Sequence, residues 1–521
     1  METIGDEASL SLSPDGTVYA LPTETEARIA FAEIARSARE QRAKGRRTVV
    51  VQGLGFVGAA VAAVIANATD EQGRPLYCVI GVDLPSAASY WKVGKVRDGL
   101  PPVDSVDAQL AQLTYRAVHT HGNLNATTCE EAFALADVII VDVQLDARLP
   151  APDSEISVDL DGFTRAIRTI GRTMQPDALV LVETTVPVGT CESVVQPVLR
   201  DERRARGIDS PALVAHAYER VMPGPRYVDS IRAYPRVFSG VDERSSRAAR
   251  EFLSTYVRPA EGTALWELES PTDSELAKLL ENSYRATNIA FIHEWTLLAE
   301  SIGINLFTTI EAIKARQGTH DNIRYPGFGV GGYCLTKDSL LAQWGATNLL
   351  GSDVLLGMSL DGLRINAQMP LHTARLVAEA SGGRPDVTVA VCGISYLPGV
   401  ADTRDSPSEI LVDHLLARGA SVRLHDPIVD AWPERPQLAV SRTLDEALRG
   451  VDGVVFAVPH VEYRELAPAS LIESVGRDAF VVDAQNVITD TTAEELHASG
   501  WRILGVGKGH WRKRGFQLLS A

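Results

Sequence analysis

The stretch RRTVVVQGLGFVGAAVAAVIA, residues 46–66, does most to restrict what this chain can fold into. It reads as a buried strand rich in β-branched residues, a turn holding three glycines, and an alanine-rich helix. A glycine turn between strand and helix lets backbone N–H groups meet a pyrophosphate at the helix N-terminus. Gly53, Gly55, Phe56, Val57 and Gly58 are therefore the candidate cofactor contacts. A second apolar run, YCVIGVDLP, carries Asp83 thirty residues past Gly53. The usual interval is ~20; the polar insert around Asn67 to Arg74 absorbs the excess. A carboxylate at this place binds a ribose 2′-hydroxyl and repels a 2′-phosphate, which predicts NAD rather than NADP.

Two more runs of strand length, ADVIIVDVQ and DALVLVETTVPVGT, follow with helical patterns between them. Strands alternating with helices imply a parallel, doubly wound sheet. From Thr272 the pattern is one long helix without internal glycine or proline, capped by Thr272 or Asp273 and stopped at Gly303. Such a helix suits a domain connector and a dimer core. At Val387 the α/β texture returns, with strands in VTVAVCGISY, ASVRLHDP, VDGVVFAVP and AFVVDAQNV and a helix from Ser406 to Arg418. The expected fold is α/β: two Rossmann-like doubly wound lobes joined by a long central helix and a helical dimerisation domain. Residues 1–46 form an N-terminal extension, disordered over 1–22 and a solvated helix over 23–45. The first lobe, an NAD-binding Rossmann domain, takes 47–268. The central helical domain takes 269–384, and a C-terminal Rossmann-like domain 385–521.

The net charge of −17 argues against a nucleic-acid or membrane-surface partner, since both favour basic patches. The polar N-terminus has no secretory signal, and the most apolar stretch, Ala59 to Ala66, is too short to span a bilayer. Five scattered cysteines with no C-x-x-C pair read as reduced thiols in a cytoplasmic protein, and no metal site is predicted.

The chemistry centres on YPGFGVGGYCLTKD, residues 325–338. Glycines bring backbone close to a ligand and leave Cys334 bare beside it. A thiolate is a strong nucleophile when nearby positive charge lowers its pKa, and Lys337 and Lys278 are candidates for that charge. Lys278 and Asn282 stand four apart on one face of the long helix. An NAD site with a cysteine nucleophile suggests oxidation of an aldehyde through a covalent hemithioacetal.

These pieces, in this order, resemble the UDP-glucose/GDP-mannose dehydrogenase family of nucleotide-sugar 6-dehydrogenases. The likeness runs from about Thr48 to Asn486 through GLGFVG (53–58), TTVPVGT (184–190), YERVMPG (218–224), AKLLENSYRATNIAF (277–291), GFGVGGYCLTKD (327–338) and DTRDSPSEI with GASVRLHDP (402–427). The resemblance implies oxidation of a sugar C6 alcohol to a carboxylate with two NAD, on UDP-glucose or a UDP-N-acetylhexosamine. Cys334 is similar to the family nucleophile, Glu219 to a glutamate of thioester hydrolysis, and Lys278 with Asn282 to the oxyanion-stabilising pair. Asp338 and Thr185 would handle water and protons, and Thr185 would also touch the cofactor. Arg220, Arg324, Tyr325, Gly329, Gly331 and Arg404 join Glu219, Lys278 and Asn282 as expected substrate contacts, with the C-terminal lobe binding the nucleotide sugar. The family also implies a homodimer through the central helix.

Several positions depart from the family pattern. The usual Val-x-Thr-Pro reads Val141-Asp142-Val143-Gln144, Phe-Lys reads Tyr396-Leu397, and Arg-Asn reads Gln485-Asn486. His320 stands where an arginine usually precedes the cysteine, so Arg316 or Arg324 would compensate. Val-Met-Pro-Gly after Glu219-Arg220, with Asn288-Ile289-Ala290, is nearer the UDP-N-acetylhexosamine branch. Two other readings stay open: a two-electron hydroxyacid-type dehydrogenase, and a non-catalytic nucleotide-sugar-binding protein.

Overall fold

The computed structural model describes residues 10–103, 105–149, 154–221, 224–259 and 261–518. The chain divides into two compact units, Met1–Leu279 with Leu340–Val354, and Leu280–Ser339 with Leu355–Ala521.

The first unit opens with a hairpin, β1 (Leu10–Leu12) and β2 (Val18–Ala20), and helix α1 (Glu24–Ala43). Both differ from expectation. Residues 1–9 lie outside the described residues, but 10–20 are ordered because their polar groups find partners on helix α3 (Tyr90–Arg97). Ser11 Oγ accepts from the Trp91 N–H at 2.9 Å, and Asp15 pairs with the buried Lys95 at 2.6 Å. Helix α1 begins at a capping box between Thr23 and Glu26 and is not simply solvated. Its Ile34 and Ala38 are buried with Cys78, Ile80, Phe133 and Ala136.

The strand–turn–helix of the sequence is β3 (Arg47–Gln52) followed by α2 (Phe56–Ala66). The remaining strands of the lobe are β4 (Tyr77–Val82), β5 (Leu124–Thr127), β6 (Val138–Val141), β9 (Leu179–Val182), β10 (Leu213–His216), β11 (Arg236–Gly240) and β12 (Leu265–Glu267), while β7 (Ala147–Arg148) and β8 (Ser157–Val158) form a small separate ladder. The eight-stranded sheet has the order β12-β11-β10-β9-β6-β3-β4-β5. Its stretch from β5 to β10 is the dinucleotide-binding order of the Rossmann fold. Only β10 and β11 pair antiparallel within it. Strands β5, β10, β11 and β12 were not expected from the sequence. They are short, and β10 to β12 follow polar segments that blur the apolar pattern.

The long helix runs from Pro271 to Ser301 and crosses from one unit into the next. Its start corrects the expected cap. Ser270 donates its hydroxyl to Asp273 Oδ2 at 2.8 Å and accepts the Asp273 N–H at 3.3 Å, with Pro271 opening the helix.

The second unit carries a parallel sheet of β13 (Thr388–Cys392), β14 (Ser421–His425), β15 (Gly453–Phe456), β16 (Phe480–Asp483) and β17 (Arg502–Gly505), in the order β14-β13-β15-β16-β17. This is the other common doubly wound order, with its switch point between β13 and β15. The two lobes repeat one turn. Gly53 N–H donates to Val82 O and Leu54 N–H to Asp83 Oδ2; Gly393 N–H donates to His425 O and Ile394 N–H to Asp426 Oδ2. In the second lobe the acid is consumed further, by the Ser395 N–H and hydroxyl. Among the described residues, no helix is long and apolar enough to cross a membrane.

Candidate active site

The glycine turn is closed by contact, not by composition alone. A Cβ on Gly53 would stand 2.3 Å from Asp142 O, and one on Gly58 would stand 2.0 Å from Gly53 O. Neither partner can yield, because both are backbone. A Cβ on Gly55 would meet nothing within 4 Å. Gly55 is therefore not required by packing, and the open space beside it faces the N-terminus of α2, where a pyrophosphate fits. Phe56, next along, stacks on Tyr227 at 4.7 Å. Val57 is half-buried in the first turn of α2. Asp83 sits at the end of β4 despite the long interval, because Asp70 folds the insert back by accepting from the N–H groups of Gln72 and Arg74. The Asp83 carboxylate accepts the Leu54 N–H at 2.9 Å and lies 3.5 Å from Lys92. These residues fit a dinucleotide with a free ribose 2′-hydroxyl.

Beyond the strand ends of the first unit lies a group of buried charges. Lys278 Nζ donates to the Glu219 carbonyl at 2.9 Å and stands 3.6 Å from its carboxylate. Arg236 makes a buried ion pair with Glu183. Asp142 is half-buried, but its Oδ2 reaches neither solvent nor a partner. Burial, then the Glu183 and Glu219 carboxylates, push the Asp142 carboxyl well up. Burial, and next to it Lys278, pushes His216 down to about 3, so its imidazole is neutral. Three residues of the long helix reach this unit within four positions. Ser274 meets His216 Nδ1 at 2.7 Å, Glu275 accepts the Gly189 and Cys191 N–H groups at 2.6 and 2.8 Å, and Lys278 meets Glu219. Burial raises the Glu275 carboxyl to about 7 against the lowering effect of those bonds. Thr185 lies half-buried in the loop that Glu275 fastens. Arg220 is turned to the Pro235 carbonyl at 2.7 Å and to the Tyr218 hydroxyl. Met222 and Pro223 of the YERVMPG stretch lie outside the described residues.

In the second unit Cys334 is exposed, whereas the other four cysteines are buried. It closes a turn into the helix Asp338–Asn348: its carbonyl accepts the Asp338 N–H at 3.0 Å. Asp338 is buried, and its Oδ2 accepts from Asn282 Nδ2 at 2.6 Å. Lys337 is buried too, 3.4 Å from Asp338 and 4.3 Å from the centre of the Tyr333 ring. The glycines of the loop lie against the C-terminal lobe. Gly329 leaves no room beside Asn366 O, and Gly331 and Gly332 none beside Tyr396. Arg404 pairs with Asp402 at 2.6 Å. Arg324 is half-buried with its Nε unpaired, beside Arg285. Tyr325 points its hydroxyl to Lys314 and Glu311 and stacks on Phe307. Of the departures, Gln485 packs on Gly327 and Leu397 is exposed.

Sequence reasoning missed Glu275, Glu183, Arg236 and His216. Glu275 alone left a signal, standing three before Lys278 in SELAK. Glu183 and Arg236 pair with each other far apart in sequence, His216 meets Ser274 of the long helix, and none of the three leaves one.

Three family models match: the UDP-glucose/GDP-mannose dehydrogenase family NAD binding domain over residues 47–257, its central domain over 272–356 and its UDP binding domain over 390–490. A UDP-N-acetyl-D-mannosamine dehydrogenase of Pyrococcus horikoshii is 30% identical over 469 residues, 88% of this chain and 99% of the relative. An NDP-N-acetyl-D-galactosaminuronic acid dehydrogenase of Ralstonia nicotianae is 29% identical over 430 residues, 81% and 92% of the two chains. The solved structure of UDP-D-ManNAc dehydrogenase from Pyrococcus horikoshii aligns with TM-score 0.74 at 28% identity, covering 89% of this chain and 100% of that one. That of NDP-N-acetyl-D-galactosaminuronic acid dehydrogenase from Methanosarcina mazei Go1 also aligns at 0.74, with 27% identity and coverage of 92% and 98%.

Proposed function

Because the chain belongs to the UDP-glucose/GDP-mannose dehydrogenase family, we propose that this NAD-dependent nucleotide-sugar dehydrogenase oxidises the C6 hydroxymethyl of a UDP-linked sugar to a carboxylate. A UDP-N-acetylhexosamine is the preferred substrate class, supported by the relatives named above; UDP-glucose is the second. The observation that carries the reading is the Cys334 turn, with an exposed thiol one helical turn before a buried Asp338 that Asn282 orients at 2.6 Å. A hydroxyacid-type dehydrogenase has no use for that arrangement.

Gly53, Gly55, Gly58, the start of α2 and Asp83 would hold NAD, which when bound accepts one hydride from C6 in each of two steps. Loss of the hydroxyl proton and the first hydride gives the aldehyde. The Cys334 thiolate adds to it, forming a C–S bond and an oxyanion. Lys278 and Asn282 would stabilise that charge. Departure of the second hydride gives a thioester. Water then adds, the C–S bond breaks, and thiolate and carboxylate result. Glu219 and Asp338 would take the protons, and Thr185 would orient the water. The sum is one sugar alcohol, two NAD and one water to one carboxylate, two NADH and three protons.

A homodimer is part of the reading. Leu280, Tyr284, Phe291, Trp295 and Leu298 are exposed along the long helix at spacings of 4, 7, 4 and 3. This is an apolar stripe at the 3.6-residue period of a helix, and a second copy of the helix would bury it.

The test counts NADH per sugar consumed on a panel of UDP-, GDP- and dTDP-hexoses. Two NADH and a uronic acid are expected with wild type, and no acid with Cys334→Ala. One NADH per sugar, or acid formation by Cys334→Ala near the wild-type rate, overturns the mechanism.

A further inference from the structure

Val141-Asp142-Val143-Gln144 departs from the family pattern, and the mechanism gives Asp142 no task. We infer that Asp142 is a positioning residue of the cofactor site that works as a neutral acid: it seats the glycine turn while it holds its proton, and it expels the dinucleotide when it loses that proton. The inference rests on the assignment of the turn to NAD.

Asp142 is built into the turn. Its N–H donates to Gln52 O at 2.8 Å, and its carbonyl would stand 2.3 Å from a Cβ on Gly53. Its own Cβ and Oδ2 would each stand 3.2 Å from a Cβ on Gly58, the third residue of α2. The carboxyl therefore lies beneath the first turn of α2, whose N-terminus attracts anions. No described residue donates to Oδ2, and solvent does not reach it.

The neighbouring strands decide its charge. Ile140 of β6 and Leu181 of β9 lie in the core under α2. Two residues on, Asp142 and Glu183 return to that face side by side. The Glu183 N–H donates to Val141 O at 3.1 Å, which keeps the two strand ends level. Glu219, just past β10, completes a group of three acids that act on one another. Two cations reach them, and both are committed. Arg236 of β11 pairs with Glu183 and gives Nη2 to Ile231 O at 3.3 Å. Lys278 of the long helix stands 3.6 Å from the Glu219 carboxylate. The turn itself, Gly53-Leu54-Gly55-Phe56-Val57-Gly58, carries no charge. Burial, then Glu183, push the Tyr256 phenol up, so it stays neutral and offers no countercharge. A carboxylate sealed from water and left without a cation takes up a proton. Burial, then Glu183 and Glu219, raise the Asp142 carboxyl accordingly, against the lowering effect of Arg236. Ionised, the same group would set a negative charge under the seat of the pyrophosphate and oppose the attraction of the helix.

The experiment reads cofactor and proton together. NADH affinity of the full-length protein is measured by fluorescence from neutral to alkaline pH. Wild type should lose affinity on the alkaline side, by about tenfold per pH unit once the neutral form is the minority. Asp142→Asn keeps the shape without the charge. It should match wild type at neutral pH and hold its affinity where wild type falls, and urea unfolding confirms that it is folded. Calorimetry of NADH binding in buffers of different ionisation heat should show proton uptake by wild type on the alkaline side and none by Asp142→Asn. Tighter binding by Asp142→Asn at neutral pH would mean a charge already present, and overturns the inference. Parallel losses in both proteins overturn it by placing the proton elsewhere, as on Lys92 beside Asp83. Equal weakening of Asp142→Asn at every pH overturns it by leaving a packing role alone. A flat wild-type profile without proton uptake overturns it with no variant needed. Binding of NADH at no pH would overturn the cofactor assignment, and the inference with it.

Discussion

Gly55→Ala separates what the fold requires of the glycine turn from what the cofactor requires. A methyl on Gly55 enters open space, and its φ of −77° suits any L residue. Two small terms act on stability. Alanine is a poorer N-cap than glycine, while it loses less backbone entropy on folding than glycine does. They oppose each other, so the folding free energy should stay within about 1 kcal/mol of wild type. The second glycine of the turn is nonetheless where the backbone must approach a pyrophosphate. Holding the dinucleotide off by one methyl should weaken NADH binding at least about tenfold, or ~1.4 kcal/mol. Gly58→Ala is the contrast. Its Cβ would stand 2.0 Å from Gly53 O, with the Asp142 side chain at 3.2 Å on the other side. Helix α2 would have to shift from β3, at a cost of about 3 kcal/mol. Urea unfolding and NADH fluorescence titration on the two variants read the two effects. Wild-type NADH affinity in Gly55→Ala, or wild-type stability in Gly58→Ala, would refute the reasoning.

Three further outcomes are expected. Glu275 carries a carboxyl raised from 4.5 to about 7, so the folded state holds a proton that the unfolded state releases; stability falls as pH rises from 4.5 to 7 and levels off above. The full shift is worth about 3 kcal/mol, and Glu275→Gln should flatten that slope in urea unfolding; parallel pH dependence in both proteins would count against it. Trp295→Asp places a charge in the exposed seam of the long helix and should give monomer by light scattering, where an unchanged dimer mass would exclude that seam. A chain starting at Arg46 loses the buried Ile34, Ala35 and Ala38 and leaves Lys95 without Asp15, so its melting temperature should drop; an unaltered one would mean that the extension packs only loosely.

What could be read from the sequence follows how local each determinant is. The β3–turn–α2 unit was legible because strand, glycines and helix are neighbours in the chain, and Gly53 and Gly58 each answer to a backbone atom within that unit or on the adjoining strand end. The long helix was legible in extent, yet its cap is Ser270, two residues before the expected one, because a capping box is decided by a reciprocal pair and not by one residue type. The extension misled in the same way. Its polar composition suggests a solvated arm, and only the tertiary partners Trp91, Lys95 and Cys78 order it. The buried charges are the extreme case. Glu183 and Arg236 are 53 residues apart and meet across the strand ends, so neither looks unusual in sequence. Tyr396 stands between these limits. As a departure from the family's Phe-Lys it read as a lost cation on the substrate side. In the structure the same ring lies under Gly332, two residues before Cys334. The Tyr396 ring therefore bears on how the cysteine loop is seated, a role that its place in the family pattern did not show. Leu397, beside that ring, is exposed, so Leu397→Lys should tighten nucleotide-sugar binding and leave the melting temperature at the wild-type value; unchanged affinity would mean that position 397 lies away from the nucleotide.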